Sequence, residues 1–231
     1  MKSLVIIPAR GGSKGIPHKN IKPLNGKPLI YYTIDVARQI VGDEYICVST
    51  DDPEIIQCVE AYGLKVPFTR PAELATDKAG TYGVLLHALN FYEQQGRHFD
   101  NIILLQNTSP FRTAKQVEEA LKLYKPGIDM VVSVKECPEN PYYNVFEEDE
   151  EGFLNISKGD GSITRRQDAP KVYEYNGAIY IINTESLKQA DLGHFKHRVK
   201  YVMDDMTSID LDTMFDWKMA ELIIGEKMLV L

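Results

Sequence analysis

What the sequence lacks excludes several common classes of protein. Only three cysteines occur in 231 residues, and their odd number and wide spacing match neither a zinc site nor a CxxC redox pair. No run of apolar residues approaches the roughly 18 that a membrane-spanning helix requires. The apolar run at residues 4–7 is too short for the core of a secretory signal. The composition therefore predicts a cytoplasmic protein that does not act in a membrane.

Positive charge is scarce as well. The chain carries 26 Lys and Arg against 33 Asp and Glu, which gives a net charge of −7. Proteins that bind nucleic acid gain affinity from clustered positive charge, so nucleic acid is not an expected partner. One segment departs from this balance, because residues 10–34 contain no acidic side chain but hold Arg10, Lys14, Lys19, Lys22 and Lys27. Exposed surfaces usually mix both signs, so this segment favours anion binding.

Short apolar runs alternate with stretches of helical periodicity. The predicted strands are 4–7, 45–49, 66–69, 102–105, 130–134 and 176–183, and the predicted helices are 29–41, 53–62, 81–95, 113–124 and 212–227. This alternation is typical of a mostly parallel sheet flanked by helices. We therefore predict one α/β domain over residues 1–231. The alternation of predicted strands and helices stops after Pro138, which predicts an antiparallel flap or dimerisation lobe at about 138–175 and 184–200.

A glycine-rich loop at residues 9–20 follows the first predicted strand. Its glycines at positions 11, 12 and 15 let backbone N–H groups approach an anion closely. Its spacing is neither that of a Walker A motif nor that of the dinucleotide fingerprint. A loop of this kind alone is equally consistent with an ordinary turn. Together with Arg10, Lys14 and Lys19, it predicts a phosphate site for a nucleoside triphosphate.

A second candidate site lies far along the chain, at Asp210 and Asp212. On an extended segment, carboxylates two residues apart point to the same side. Mg²⁺ usually takes one or two carboxylates and completes its shell with water and substrate phosphate. The alternative is that Asp212 caps the last predicted helix while Asp210 lies at the surface. The spacing leaves both interpretations open.

These motifs occur together in one known family. The segment Ile-Pro-Ala-Arg-Gly-Gly-Ser-Lys-Gly-Ile-Pro at 7–17 resembles the opening signature of the acylneuraminate cytidylyltransferases, and further matching segments follow in the family's order at 49–51, 70–74, 105–110, 176–180 and 208–212. The resemblance covers nearly the whole chain. It implies a Rossmann-like nucleotide-diphospho-sugar transferase fold and a homodimer. It also implies transfer of CMP from CTP to the anomeric hydroxyl of a nine-carbon 2-keto sugar acid, with release of pyrophosphate.

The resemblance also assigns roles to residues at matching positions. It implies that Asp210 and Asp212 hold Mg²⁺ and that the catalytic residues are Arg10, Lys19 and Asp212. The residues implied to contact the nucleotide are Ala9, Arg10, Gly11, Gly12, Ser13, Lys14, Asn20, Arg70, Ala79 and Thr81. Those implied to contact the sugar acid are Gln106, Arg166, Gln167 and Tyr180.

Several of these residues have ordinary interpretations when the resemblance is set aside. Arg70 suits a surface ion pair, and Gln106 suits a polar strand end. Arg166 and Gln167 suit an exposed polar stretch, and Tyr180 suits a core aromatic. Their functional roles therefore depend on the family pattern.

Two positions depart from that pattern. Asn107 stands where many relatives have proline, and Glu174 stands where several bacterial sialic acid enzymes have an arginine that helps hold the acceptor. Glu174 leaves N-acylneuraminate, deaminated neuraminate, legionaminate and 3-deoxy-octulosonate open as acceptors. A different class of function is a non-catalytic nucleotide-sugar sensor, which can lose the metal pair and still bind. Arg10 and Lys19 together with both aspartates favour the enzyme.

Overall fold

The computed structural model describes residues 1–229, which form ten strands and six α-helices. The strands are β1 (Ser3–Pro8), β2 (Pro23–Leu24), β3 (Lys27–Pro28), β4 (Ile46–Ser49), β5 (Asn101–Leu105), β6 (Met130–Glu136), β7 (Phe146–Glu148), β8 (Leu154–Ile156), β9 (Tyr173–Asn183) and β10 (Arg198–Val202). The helices are α1 (Leu29–Ile40), α2 (Pro53–Ala61), α3 (Thr81–Glu93), α4 (Ala114–Leu123), α5 (Thr184–Gln189) and α6 (Met214–Gly225).

Six of the strands form a central sheet in the order β10-β6-β9-β5-β1-β4. Neighbouring strands run parallel except at β9, which is antiparallel to both β5 and β6. Every residue of β4 and β5 is buried, as expected where helices cover both faces of a sheet. The predicted α/β fold with a mostly parallel sheet is confirmed.

Helices pack on both faces of the sheet. On one face α1, α2 and α4 bury Ile34, Val59 and Val117 against alternate residues of the central strands. On the other face α3 packs through Leu89, beside Leu187 of α5. The result is a three-layer sandwich whose loops emerge at the strand ends.

Side-chain caps fix where several helices begin. Asp52 accepts hydrogen bonds from two N–H groups of the first turn of α2, and a proline occupies the first helical position. Thr113 and Thr213 each form a capping box with the residue three positions later, at the starts of α4 and α6. These short polar side chains hold each helix start against the preceding loop, and two of those loops carry candidate site residues.

Two predicted elements differ from the structure. Of residues 66–69 only Thr69 pairs, in a single parallel bridge with Thr50, because Pro67 cannot donate to a sheet ladder. Residues 184–200 are not an antiparallel excursion. They form α5, a single turn of 3-10 helix and most of β10, which pairs parallel with β6. Since β10 is a half-exposed edge strand, its sequence lacks the continuous apolar run of a central strand.

An exposed hairpin lies outside the central sheet, within the stretch 138–175. β7 and β8 pair antiparallel with each other, and Phe146, Phe153 and Leu154 are exposed on them. Along residues 1–229, none of the helices has the length and apolar character needed to cross a membrane.

Candidate active site

The candidate site lies at the carboxyl ends of β1 and β5, in the middle of the sheet. After β1 the chain adds β4 on one side, and then returns to add β5 on the other. Ligands of open α/β sheets bind in the crevice formed where the strand order reverses in this way. The glycine-rich loop at residues 9–20 leaves β1 at this crevice, and the turn at residues 106–109 leaves β5 beside it.

A pair of buried amides ties the loop to the turn. The Asn20 side chain donates to the carbonyl oxygen of Arg10 at 2.8 Å and accepts from the Asn107 side chain at 3.2 Å. Both asparagines are buried, so each hydrogen bond replaces one that water would otherwise supply. Asn107, which departs from the family pattern, therefore helps position the loop.

The glycines of the loop serve different purposes. The Gly11 N–H, predicted to approach phosphate, donates instead to Asp51 Oδ1 at 3.1 Å. A Cβ on Gly15 would lie 2.2 Å from the carbonyl oxygen of Asp212, so only glycine permits this approach of the loop to residue 212. Gly12 has φ +30° and open space around it. Ala9 is fully buried, with its N–H bonded to the Ser49 carbonyl.

Two cations of the loop share one carboxylate. Arg10 Nη1 lies 2.7 Å from Asp77 Oδ1, and Lys14 pairs with the other oxygen of the same group. The hydrogen bonds from Lys14 and Arg10 hold the pKa of Asp77 below its ordinary value. Asp77 therefore carries a negative charge at neutral pH beside the predicted phosphate-binding side chains.

Lys19 joins the loop to the segment that carries the candidate metal ligands. Its ammonium group donates to the Leu211 carbonyl at 2.7 Å and to Asp212 Oδ1 at 3.2 Å. The side chain is only 12% exposed. The same segment is fixed to the turn after β5, because the Leu211 N–H donates to the Thr108 carbonyl at 2.8 Å. Residues 19, 108 and 212 also line one cavity of about 260 Å³, called here the Lys19 cavity.

Asp210 and Asp212 have different surroundings. Burial raises the pKa of Asp210, and a hydrogen bond from Thr108 partly offsets this effect. Asp210 Oδ1 is buried and has no hydrogen-bond partner within residues 1–229. Asp212 is 71% exposed. The alternative that Asp212 caps α6 is wrong, because Thr213 is the N-cap residue.

This arrangement fits a divalent cation that takes few protein ligands. Residues 1–229 contain no cluster of three or more His, Cys, Asp or Glu that could enclose a metal ion. Mg²⁺ needs no such cluster, because water and phosphate oxygens complete its shell. A buried carboxylate oxygen without a partner, on Asp210, is the feature that a cation would satisfy.

A second cavity, of about 280 Å³, opens beside the first and is called here the Arg70 cavity. It shares Pro8, Arg10, Asn20 and Thr108 with the Lys19 cavity. Its other lining residues include Arg70, Asp77, Ala79, Thr81 and Gln106. The structure thus brings most of the predicted nucleotide-contacting residues to two adjoining cavities.

Arg70 is buried, so the interpretation as a surface ion pair is wrong. Its guanidinium donates to the Ser49 hydroxyl at 3.0 Å and to the Ser49 carbonyl, and its own N–H donates to the Thr50 carbonyl. Burial lowers its pKa, and the charge of Asp51 acts in the opposite direction. These bonds fix the Arg70 side chain in the lining of its cavity.

Gln106 and Gly177 meet on the far side of the crevice. Gly177 has φ +74°, and a Cβ there would lie 3.2 Å from Gln106 Oε1 and 3.7 Å from Asp210 Oδ2. Burial raises the pKa of Tyr180 to about 12, with smaller contributions from Tyr175 and Asp210. Gln106 and Asp210 therefore border one region, beside a glycine whose positive φ other residues rarely adopt, and the contact of Tyr180 with the sugar acid stays a prediction.

Arg166 and Gln167 lie elsewhere. They line a cleft of about 630 Å³ between the ends of β6 and β10 and the segment before β9, called here the Arg166 cleft. Within residues 1–229 this cleft shares no lining residue with the Lys19 or Arg70 cavity. An ion pair between Arg165 and Asp168, at 2.7 Å, closes the exposed turn that carries both residues. Arg166 and Gln167 thus lie apart from the cavity that Gln106 lines, and their contact with the sugar acid stays a prediction.

Sequence reasoning missed one residue of the site, Arg112. It is fully buried, and its guanidinium donates to the carbonyls of Gln106 and Ser109 and to the Thr33 hydroxyl, each at 2.6 Å. Burial lowers its pKa to about 9, so it stays charged at neutral pH. The buried guanidinium of Arg112 thereby fixes both ends of the turn after β5, at Gln106 and Ser109. The available signal was an arginine next to Phe111 and directly before Thr113, the N-cap of α4.

The chain is similar to proteins of known activity. A family profile described as cytidylyltransferase matches residues 4–140. The chain is 33% identical to CMP-N,N'-diacetyllegionaminic acid synthase of Legionella pneumophila over 96% of this chain and 95% of that one. It is 36% identical to N-acylneuraminate cytidylyltransferase of Escherichia coli over 98% of this chain and 53% of that protein, so it spans about half of that relative's length.

The fold has a close counterpart among solved structures. A structure of CMP:2-keto-3-deoxy-manno-octonic acid synthetase complexed with CTP superposes with a TM-score of 0.72, covering 98% of this chain and 100% of that one. At 19% identity this likeness shows the fold alone.

Proposed function

We propose that this chain, which belongs to the cytidylyltransferase family, transfers CMP from CTP to the anomeric hydroxyl of a sialic-acid-like 2-keto sugar acid and releases pyrophosphate. The family membership rests on the match to residues 4–140 and on relatives aligned over nearly the whole chain. The acceptor is the finer part of the proposal.

One observation carries the assignment to this site. Lys19, from the loop after β1, contacts both Leu211 and Asp212, from the segment before α6. The cationic loop and Asp212, although 193 residues separate Lys19 from Asp212 in the sequence, thus meet at one cavity, and Asp210 lies two residues before Asp212. Transfer of a nucleotidyl group needs both, because negative charge shifts from the α-phosphate to the leaving pyrophosphate.

In the proposed reaction the acceptor hydroxyl loses its proton to solvent and its oxygen attacks the α-phosphorus, while the bond from that phosphorus to pyrophosphate breaks. The negative charge of the phosphates is stabilised by the positively charged side chains of Arg10, Lys14 and Lys19, which all line the Lys19 cavity. Asp210 and Asp212 would hold Mg²⁺, which supplies positive charge at the phosphate oxygens. Alignment by these groups is sufficient in principle, so no covalent intermediate on the protein is required.

The Arg70 cavity is proposed to hold the cytidine. Ala79 and Thr81 give it small walls, which suit a pyrimidine better than a purine. The buried guanidinium of Arg70 lines it as well and adds a positive charge. Gln106 lines this cavity and also lies close to Gly177, so it is proposed to contact the sugar acid.

Glu174 bears on which sugar acid is used. Its carboxylate lies 3.0 Å from Lys135 Nζ, its neighbour across β6 and β9. This pair leaves neither a free anion nor a free cation for the acceptor. The absence of the arginine that several bacterial sialic acid enzymes carry here favours an acceptor other than N-acetylneuraminate. Legionaminate is the alternative that the comparisons favour, because a legionaminic acid synthase matches 96% of this chain.

A panel of acceptors tests the proposal. Pyrophosphate release with CTP and Mg²⁺ should be measured for N-acetylneuraminate, N,N'-diacetyllegionaminate, deaminated neuraminate and 3-deoxy-octulosonate. We expect one of the nine-carbon acids to give the highest kcat/KM, and 3-deoxy-octulosonate to give the lowest. Tight CTP binding without turnover on any acid would instead support the nucleotide-sugar sensor.

A homodimer in the cytoplasm completes the proposal. The hairpin of β7 and β8 presents Phe146, Phe153 and Leu154 to solvent, 50–68% exposed, and such a patch favours self-association. Sedimentation should give a dimer for the wild type and a monomer for the double variant Phe153→Ser, Leu154→Ser. Phe215→Ser, at an equally exposed residue of α6, is the matched control. All three cysteines are free, in keeping with a reducing compartment.

A further inference from the structure

Asp77 pairs with two of the three cations that the proposed reaction uses to stabilise phosphate, Arg10 and Lys14. Arg10 binds one of its oxygens at 2.7 Å and Lys14 binds the other. The exposed fractions of the three side chains are 37%, 78% and 44% for Arg10, Lys14 and Asp77, so water reaches all of them. Exposed ion pairs are weak, and a ligand with several negative charges can replace them.

Lys19 differs from these two cations. Its side chain is nearly buried, and it is bonded to a backbone carbonyl as well as to Asp212. No ion pair joins Lys19 to Asp77 within the described residues 1–229. The loop therefore has one fixed cation and two that can change partner.

The position of Asp77 links the release of Arg10 and Lys14 to the cavity proposed to hold the cytidine. It lies in the segment between the single helical turn Ala72–Leu74 and α3, and with Ala79 and Thr81 it lines the Arg70 cavity. Its two ion pairs therefore tether one wall of that cavity to the glycine-rich loop. Phosphate groups that bind Arg10 and Lys14 would release this tether.

We propose that Asp77 is an internal counter-ion that competes with the triphosphate of CTP, and later with pyrophosphate, for Arg10 and Lys14. This inference rests on the proposed function. The competition lowers the affinity for CTP, because each binding event must break two ion pairs. It also speeds the release of pyrophosphate, because Asp77 takes back the cations that the product leaves. Asp77 thus sets the balance between holding the donor and releasing the product.

Two variants of Asp77 test this inference. Asp77→Asn removes the charge with no change in shape, and Asp77→Ala also removes the acceptor atoms. Glu73→Gln is the matched control, because Glu73 is a nearby exposed acid that forms no ion pair within the described residues 1–229. It corrects for the general loss of one negative charge near the site. None of the three changes touches the core, and circular dichroism checks that each protein is folded.

The dissociation constant of CTP, measured by calorimetry with Mg²⁺ and without acceptor, should fall about two- to tenfold in both Asp77 variants, the size expected for losing two exposed ion pairs. The inhibition constant of inorganic pyrophosphate should fall by a similar factor. Glu73→Gln should change each constant by less than about twofold.

A different effect on CTP binding would also be informative. Weaker or unchanged CTP binding in both Asp77 variants, with a wild type that binds CTP and turns over, would overturn this inference and leave the proposed function intact. Weaker binding would mean that Asp77 positions Arg10 and Lys14 for the phosphates, and unchanged binding would mean that its ion pairs do not affect CTP binding. A wild type that neither binds CTP nor turns over would overturn the proposed function, and this inference with it.

Discussion

Replacing Lys19 with methionine separates its role in folding from its role in the reaction. The change removes the charge and keeps most of the aliphatic side chain. Two interactions are lost, the bond to the Leu211 carbonyl at 2.7 Å and the contact with Asp212 at 3.2 Å. A bond from a charged donor contributes about 1.5–3 kcal/mol, whereas a contact with an exposed carboxylate contributes less than about 1 kcal/mol.

The free energy of unfolding should therefore fall by about 2 kcal/mol, which corresponds to a decrease in Tm of roughly 4–8 °C for a chain of this size. A domain with a stability of about 5–15 kcal/mol stays folded at 25 °C after such a loss. Turnover should fall much further, by about 10²–10³-fold, as when one group that stabilises transition-state charge is removed. Unfolding cannot account for a loss of that size.

Denaturant unfolding and kcat at saturating CTP and Mg²⁺ measure the two effects on the same protein. Lys22→Met is the control, because Lys22 lies in the same cationic segment but its ammonium group sits 5.4 Å from the centre of the Trp217 ring. Its kcat should stay within about twofold of the wild type. If kcat of Lys19→Met were also unchanged, Lys19 would be a structural link only, and the catalytic role assigned to it would be refuted.

Three further substitutions test two contacts of the site and one contact of the fold. Asp212→Asn should raise the Mg²⁺ concentration for half-maximal activity at least about tenfold, and an unchanged metal response would remove Asp212 from the site. Gly15→Ala should abolish most activity, because the added Cβ would lie 2.2 Å from the carbonyl oxygen of Asp212. Gly80→Ala is the control, because a Cβ there meets open space, and it should stay active. Equal rates of the two variants would refute the close approach of the loop to residue 212. Asp129→Asn should destabilise the fold by about 2 kcal/mol at pH 7, since this carboxylate accepts from the backbone of His197 and from two other groups, which lower its pKa. That stability is present above the unfolded-state pKa and is lost as pH falls through the lower folded-state value, so unfolding curves of variant and wild type should converge below about pH 4; a constant difference would contradict the assignment.

The fold was largely predictable because its signals are local. A strand buried on both faces, such as β5, is a continuous apolar run, and helices such as α2 begin with a recognisable cap. The glycine-rich loop could be placed at the carboxyl ends of the strands, because it directly follows the apolar run of β1. The edge strand β10 was missed because its alternating, half-exposed residues give no such run.

The partners of the site residues could not be predicted in the same way, because they are distant in the sequence. Nothing near Gly11 indicates that Asp51 accepts its N–H, and nothing near Arg10 indicates Asp77. Sequence reasoning also treats a loop lysine as free, whereas Lys19 is held by a backbone carbonyl. Such pairings depend on which strand ends become neighbours, and that order follows from the whole topology.

One measurement tests the central claim most directly. The protein should be incubated with CTP, Mg²⁺ and the preferred nine-carbon acid, and the products identified by ³¹P NMR and mass spectrometry. We predict a CMP-sugar with its phosphate joined to the anomeric oxygen, and one pyrophosphate for each molecule formed. Free CMP, orthophosphate or unchanged CTP with every acid tested would contradict the account.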